Sequence, residues 1–123
     1  MSRWRLDHVQ VAIPARSEER CDAFYVAVLG FGIVAKPPAL APRGGRWYVR
    51  DDATLHLGVE EDFRPARKAH PALAVEDYDD VMARLDEAGV AVRADHEIEG
   101  LRRCYVEDPV GNRIELIDAS TIR

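Results

Sequence analysis

The sequence contains two similar copies of one structural unit, and this repeat restricts the folds that the chain can adopt. The first copy begins with the strand-like segment Leu6–Ala12 and ends at Thr54–Leu57. The second copy begins at His70–Val75 and ends at Arg113–Ile117. Each copy therefore opens and closes with a segment of strand character, and the chain is expected to form a duplicated fold.

Four potential metal ligands occupy equivalent positions in the two copies. His70 follows His8 by 62 positions, and Glu115 follows His56 by 59. Glu115 and His56 each lie between two apolar residues, so in a strand their side chains point away from the predicted core. The repeat therefore predicts a metal site built from these four residues.

The periodicity of apolar residues predicts a strand, a helix and three further strands in each copy. The first copy is expected to contain a strand over Leu6–Ile13, a helix between Ser17 and Gly30, and strands over Phe31–Val34, Arg46–Arg50 and Thr54–Val59. The second is expected to contain a strand over His70–Val75, a helix between Asp77 and Gly89, and strands over Val90–Arg93, Arg102–Val106 and Arg113–Ile117. The prediction is an α+β fold of two βαβββ modules, about 5–59 and 70–118, with a charged linker over 60–69. Neither module buries much core alone, so the two are expected to pair within a single domain, 1–123.

The composition excludes several classes of partner. Of the 123 residues, 47% are hydrophobic and 32% charged, and the net charge of −5 argues against nucleic acid as a partner. No apolar run approaches the ~20 residues that span a bilayer, and no signal-peptide core is visible, so a cytoplasmic location is expected. Cys21 and Cys104 are far apart in the sequence, and each is expected to be a buried, reduced thiol.

Imidazole and carboxylate ligands suit a divalent ion such as Zn²⁺, Fe²⁺, Mn²⁺, Co²⁺ or Ni²⁺. Three or four protein ligands with an open position leave room for a substrate that binds through two oxygens. A single histidine or glutamate in a strand is more often a surface or hydrogen-bonded residue than a metal ligand. Only the equivalent placement of these residues in the two copies favours a metal site. His96 lies outside the repeat and is expected in an exposed loop.

Five segments resemble those of the vicinal oxygen chelate superfamily: Leu6–Val9, Phe24–Tyr25, Val28–Phe31, His70–Val75 and Val106–Leu116. This superfamily includes glyoxalase I, fosfomycin-resistance and bleomycin-resistance proteins, methylmalonyl-CoA epimerase and extradiol dioxygenases. The most specific part is the Asp-Pro-x-Gly-Asn turn at 108–112, which leads to a ligand glutamate. The resemblance covers nearly the whole chain and implies paired βαβββ modules whose sheets curl around a metal and substrate cavity.

The resemblance also implies roles for the repeat-related residues. His8 matches the first-strand histidine ligand of the metalloenzymes, His70 the fifth-strand histidine and Glu115 the eighth-strand glutamate. His56 lies where glyoxalase I has a glutamate or glutamine ligand and where three-ligand members have none. His56 is therefore either a fourth ligand or a general base beside the metal.

Three further residues are candidates for substrate binding. Tyr105 lies where related proteins place a pocket residue, and strand alternation adds Arg103, which could hold an anionic group. Trp47 lies near the equivalent place in the first copy, where it could stack on an apolar part of the substrate. Core packing or surface charge is the alternative interpretation of each.

The function that the resemblance implies is that of a metal-dependent glyoxalase-like enzyme of the lyase or isomerase type. Its small substrate would be chelated through adjacent oxygens, with Glu115 and His56 as catalytic residues, in a homodimer. Two alternatives stay open. One is an extradiol-type dioxygenase, and the other is a metal-free protein that binds a drug or metabolite, as bleomycin-resistance proteins do. The ligand set argues against the binder, because bleomycin-resistance proteins lack it.

Overall fold

The structure is a computed structural model that describes residues 1–123 and contains two four-stranded sheets, one from each copy of the repeat. The first copy forms β1 (Val9–Ile13), α1 (Glu18–Tyr25), β2 (Gly32–Val34), β3 (Arg46–Arg50) and β4 (Ala53–Val59). The second forms β5 (Ala72–Val75), α2 (Tyr78–Glu87), β6 (Arg93–Asp95), β7 (Arg103–Glu107) and β8 (Arg113–Asp118). Two 3₁₀ turns, Ala41–Arg43 and Ala119–Thr121, complete the regular structure. The predicted α+β fold of two βαβββ modules is confirmed.

The two sheets have the same topology. Their strand orders are β1-β4-β3-β2 and β5-β8-β7-β6. In each sheet the first strand pairs in parallel with the last, and the remaining pairs are antiparallel. His56 is flanked by Gln10 and Trp47, and Glu115 by Ala72 and Tyr105. The two central strands therefore place His56 and Glu115 at equivalent points of their sheets, as the repeat predicted.

One hydrophobic core serves both modules. A cluster of 16 buried residues includes members from both sheets and both helices. The inward-facing residues of the central strands are almost completely buried, as the alternation predicted: Leu55, Leu57, Ile114 and Leu116. Cys21 and Cys104 are free and buried, as predicted, and burial raises the pKa of the Cys21 thiol to about 11. No helix has the length and apolar character needed to cross a bilayer.

Two predicted strands begin later than expected. β1 starts at Val9 and β5 at Ala72, so His8 and His70 both precede the strands that they were expected to occupy. Leu6, at the start of the first predicted strand, is 80% exposed. Both histidines thus lie in the segments just before these strands, and their side chains need not follow the strand alternation.

Two further element boundaries differ because of helix endings. Helix α1 stops at Tyr25, since the next turn has wider hydrogen bonds: Ala27 N–H donates to the Asp22 carbonyl and Leu29 N–H to that of Phe24. After α2, Val90 N–H donates to the Leu85 carbonyl. Val90 therefore belongs to the helix ending, and β6 is shifted from the predicted Val90–Arg93 to Arg93–Asp95.

The Asp-Pro-x-Gly-Asn turn joins the two modules. The Asp108 carboxylate accepts hydrogen bonds from Val110 N–H (3.0 Å) and Asn112 N–H (2.8 Å) at one oxygen. At its other oxygen it accepts from the Tyr25 hydroxyl (2.6 Å) and the Asn112 amide (3.0 Å). The same amide donates to the Ala12 carbonyl (2.8 Å). The turn that resembles the superfamily signature is thus also the polar junction between the β7–β8 hairpin and the first module.

We predict that Asp108→Asn lowers the free energy of unfolding by about 3 kcal/mol, because an amide cannot accept from four converging donors and leaves buried groups unpaired. Glu107→Gln is the matched control. That carboxylate is exposed and unpaired, so its loss should change stability by less than about 0.5 kcal/mol. Urea unfolding of both variants measures the difference. Equal stabilities would show that the junction contributes little.

Candidate functional site

The four ligand candidates lie as two pairs, one on each sheet. The rings of His8 and His56 are stacked with their centroids 4.1 Å apart and an interplanar angle of 22°. His70 Nε2 lies 2.9 Å from Glu115 Oε1. Nowhere in the chain do three or more His, Cys, Asp or Glu side chains form a group suited to a metal ion. The structure therefore presents two half-sites, and the four-ligand metal site stays a prediction.

The first half-site is a stack of three rings. Trp47 lies against the other face of His56, with a centroid separation of 4.1 Å and an interplanar angle of 4°. The outward face of the strand is thus covered, and His56 is only 8% exposed. Burial, reinforced by the nearby His8, lowers the pKa of His56 below its usual value. The ring is therefore neutral at pH 7 and keeps a lone pair that can bind a metal or take a proton.

His8 is held by the residue directly before it. Its Nδ1 lies 2.9 Å from Asp7 Oδ2. An ionised carboxylate can only accept, so Nδ1 donates and Nε2 keeps its lone pair in the neutral ring. The hydrogen bond from His8 lowers the pKa of Asp7. Asp7 was not among the predicted site residues, although its position next to a candidate ligand was a usable signal.

The second half-site contains the most informative contact. His70 Nδ1 lies 2.8 Å from the Lys68 carbonyl, which accepts only, so Nδ1 carries a hydrogen. A neutral imidazole has one N–H, so Nε2 then presents a lone pair to the Glu115 carboxylate 2.9 Å away. That arrangement needs a cation between the two atoms, either a proton or a metal ion. Two ligand atoms held at right angles about 2.1 Å from an octahedral metal ion lie ~3 Å apart, so the 2.9 Å spacing is compatible with a shared divalent ion as well as with an imidazolium–carboxylate ion pair.

Arg103 fixes the other oxygen of Glu115. Its Nη1 donates to Glu115 Oε2 at 3.2 Å, while Nε and Nη2 donate to Asp95 Oδ1 at 3.3 and 3.0 Å. Burial opposes the charged form, but these hydrogen bonds to Glu115 and Asp95 raise the pKa of Arg103 overall. Asp95 is the cross-strand partner of Arg103. This pair was not predicted, because the predicted strand ended at Arg93, before Asp95. Arg103 thus orients Glu115, and its role in holding a substrate anion stays a prediction.

Tyr105 stands beside the same half-site. Its ring meets His70 edge-on, with centroids 5.4 Å apart. The guanidinium groups of Arg93, Arg103 and Arg113 lie 5.3–5.7 Å from the centre of the Tyr105 ring. Arg93 and Arg113 were not predicted as site residues, although Arg113 shares the outward face of its strand with Glu115. The structure therefore groups Tyr105 and Arg103 with His70 and Glu115, and Trp47 with His8 and His56.

Comparison with protein families agrees with the fold. The family model described as the Glyoxalase/Bleomycin resistance protein/Dioxygenase superfamily matches residues 5–116. The chain belongs to this superfamily, also known as the vicinal oxygen chelate superfamily. A protein of Bacillus anthracis assigned to the glyoxalase family has a solved structure that is 41% identical, with a TM-score of 0.89, covering 96% of this chain and 98% of that one.

Two other solved structures with a similar fold belong to proteins of different function. TnmS3, an antibiotic binding protein from a Streptomyces species, is 28% identical with a TM-score of 0.69, covering 96% of this chain and 98% of its own. Lactoylglutathione lyase from Agrobacterium tumefaciens is 21% identical with a TM-score of 0.65, covering 89% and 91%. The latter likeness concerns the fold alone. A search of curated proteins found no match.

The ring stack predicts a pH-dependent fluorescence signal. A protonated imidazole quenches a stacked indole, so Trp47 emission should fall as His56 gains a proton. Because burial lowers the pKa of His56, the midpoint should lie below 6.5. Fluorescence titration of metal-free protein carrying Trp4→Phe isolates Trp47. The transition should vanish in His56→Gln, and a midpoint above 6.5 would contradict the prediction.

Proposed function

We propose that this chain is a metal-dependent glyoxalase-like enzyme of the lyase or isomerase type, acting on a small substrate with two adjacent oxygens. The observation that supports it most is the His70–Glu115 contact. The backbone carbonyl of Lys68 holds His70 Nδ1, so that Nε2 and a Glu115 carboxylate oxygen face each other at 2.9 Å, a spacing that two ligands of one metal ion can have.

The proposed metal ligands are His8, His56, His70 and Glu115. Because the chain presents them as two separate pairs, we propose that a homodimer completes each site from the first module of one protomer and the second module of the other. The donor chemistry suits Zn, Ni, Co, Mn or Fe as the divalent ion. When bound, such an ion supplies Lewis-acid stabilisation of negative charge on the substrate oxygens.

The remaining roles belong to the side chains themselves. We propose that Glu115 and His56 exchange protons with the substrate, since the first is a carboxylate at the half-site and the second a buried, neutral imidazole. Arg103 holds Glu115 Oε2 and so leaves Oε1 directed at His70. Trp47 and Tyr105 provide aromatic surfaces for the body of the substrate.

Some of the same observations also favour two other functions. His8, His70 and Glu115 are also the two-histidine, one-carboxylate set of an extradiol-type dioxygenase, which oxygen uptake with catechols would reveal. The stack of Trp47, His56 and His8 favours a metal-free binder of a planar drug or metabolite, as does the likeness to an antibiotic binding protein. Metal content after purification separates the enzymes from the binder.

The metal proposal predicts that His70→Ala and Glu115→Ala each weaken divalent-metal affinity by at least 100-fold, because each removes one of three or four ligands. His96→Ala is the matched control, since that histidine is exposed in a loop and should retain wild-type affinity. Elemental analysis and titration against a chelator measure the effect. Unchanged stoichiometry in both ligand variants would place the metal elsewhere or exclude it.

The dimer proposal predicts complementation between inactive variants. Co-refolded His8→Ala and Glu115→Ala chains should recover about a quarter of wild-type activity, since half of the dimers are mixed and each of those has one intact site. His8→Ala mixed with His56→Ala should recover none, because both defects lie in the first module. Absence of recovery in the first mixture, with a monomer mass in solution, would leave a single-chain site.

A further inference from the structure

A cavity of about 660 Å³ lies where helix α1 of the first module meets strands β6 to β8 of the second. Its apolar wall includes Phe24 and Val28 from the first module and Val90 and Val92 from the segment before β6. This size suits a small organic ligand. Tyr105 also lines the cavity, and it is the cross-strand partner of Glu115. The cavity therefore extends to the face of the second sheet that carries Glu115.

Two arginines bring positive charge into this cavity, and neither of them forms an ion pair. Arg93 and Arg113 both line it, and their guanidinium carbons lie 5.4 and 5.3 Å from the centre of the Tyr105 ring. The arginines that form ion pairs in the chain are others: Arg46, Arg50, Arg84, Arg102 and Arg103. The hydrogen-bond donors of Arg93 and Arg113 are therefore available to a ligand.

The acidic side chains that line the cavity do not fully neutralise the two arginines. Asp108 lines it, but its carboxylate already accepts four hydrogen bonds from the junction described above. Glu107, opposite Arg113 in the β7–β8 pairing, is exposed and forms no ion pair, so it contributes one negative charge. Two free guanidinium groups face one free carboxylate, and this balance favours a ligand with a single negative charge.

We propose that the cavity binds a small amphipathic carboxylate, with its anionic head between Arg93 and Arg113 and its apolar body against the wall of Phe24, Val28, Val90 and Val92. Guanidinium groups bind carboxylates through two parallel hydrogen bonds, and the apolar wall accounts for the rest of the ligand. The proposal rests on the proposed function in one respect only, that this ligand is the substrate. Arg103 already donates to Asp95 and Glu115, whereas Arg93 and Arg113 have unpaired guanidinium groups.

The test is calorimetric titration of the full chain with 2-naphthoate and with the uncharged 2-naphthamide, both in EDTA. Wild-type protein should bind the carboxylate at least tenfold more tightly than the amide. Arg93→Gln and Arg113→Gln should each weaken 2-naphthoate binding by about tenfold and leave 2-naphthamide unchanged, since each removes a charge-assisted hydrogen bond. Arg113→Lys should lose less than Arg113→Gln, because it keeps the charge.

Arg43→Gln is the matched control, since it removes an exposed, unpaired guanidinium that does not line the cavity. It should bind both compounds like the wild type. Equal wild-type affinity for acid and amide, no binding of either, or unchanged binding in both cavity variants would overturn the proposal. Because EDTA removes divalent metal, failure of the metal site would show in the elemental analysis and leave this titration unaffected.

Discussion

The arrangement of the two modules depends on the buried carboxylate of Asp108. The two sheets share no strand pairing, so no backbone ladder fixes one against the other. Four donors converge on this one side chain, and one of them is the Tyr25 hydroxyl from the first module. Asn112 adds a bond to the end of β1 through the Ala12 carbonyl. A directional polar contact thus fixes an orientation that the shared apolar core alone would leave adjustable.

The two copies of the repeat orient their histidines in the same way with different partners. His8 Nδ1 contacts the side chain of Asp7 and His70 Nδ1 contacts the backbone carbonyl of Lys68, so in both rings Nδ1 faces an acceptor close by in the sequence. Metal-binding histidines commonly make such a second bond. The equivalence therefore extends beyond residue type to the ring nitrogen that each histidine turns toward its acceptor.

Much of the fold could be predicted from the sequence, because strand alternation and helix-ending glycines recur in both copies. The equivalence of His56 and Glu115 followed from the same alternation. The register of β6 could not be predicted, since Val90 is as apolar as a strand residue yet completes a helix ending. The ring stack around His56 also escaped prediction, because alternation gives the direction of a side chain and not the neighbours that cover it.

The hydrogen bond between His70 and the Lys68 carbonyl means that the linker helps to orient a candidate site residue, which its charged composition does not indicate. Exposed, charged connections usually tolerate insertions and deletions, because no side chain in them is packed. Here the backbone two residues before His70 sets the angle of its ring. An insertion between Lys68 and His70 would separate this carbonyl from His70 Nδ1 and so change the direction of the ring relative to Glu115, whereas insertions earlier in the linker would leave the contact in place.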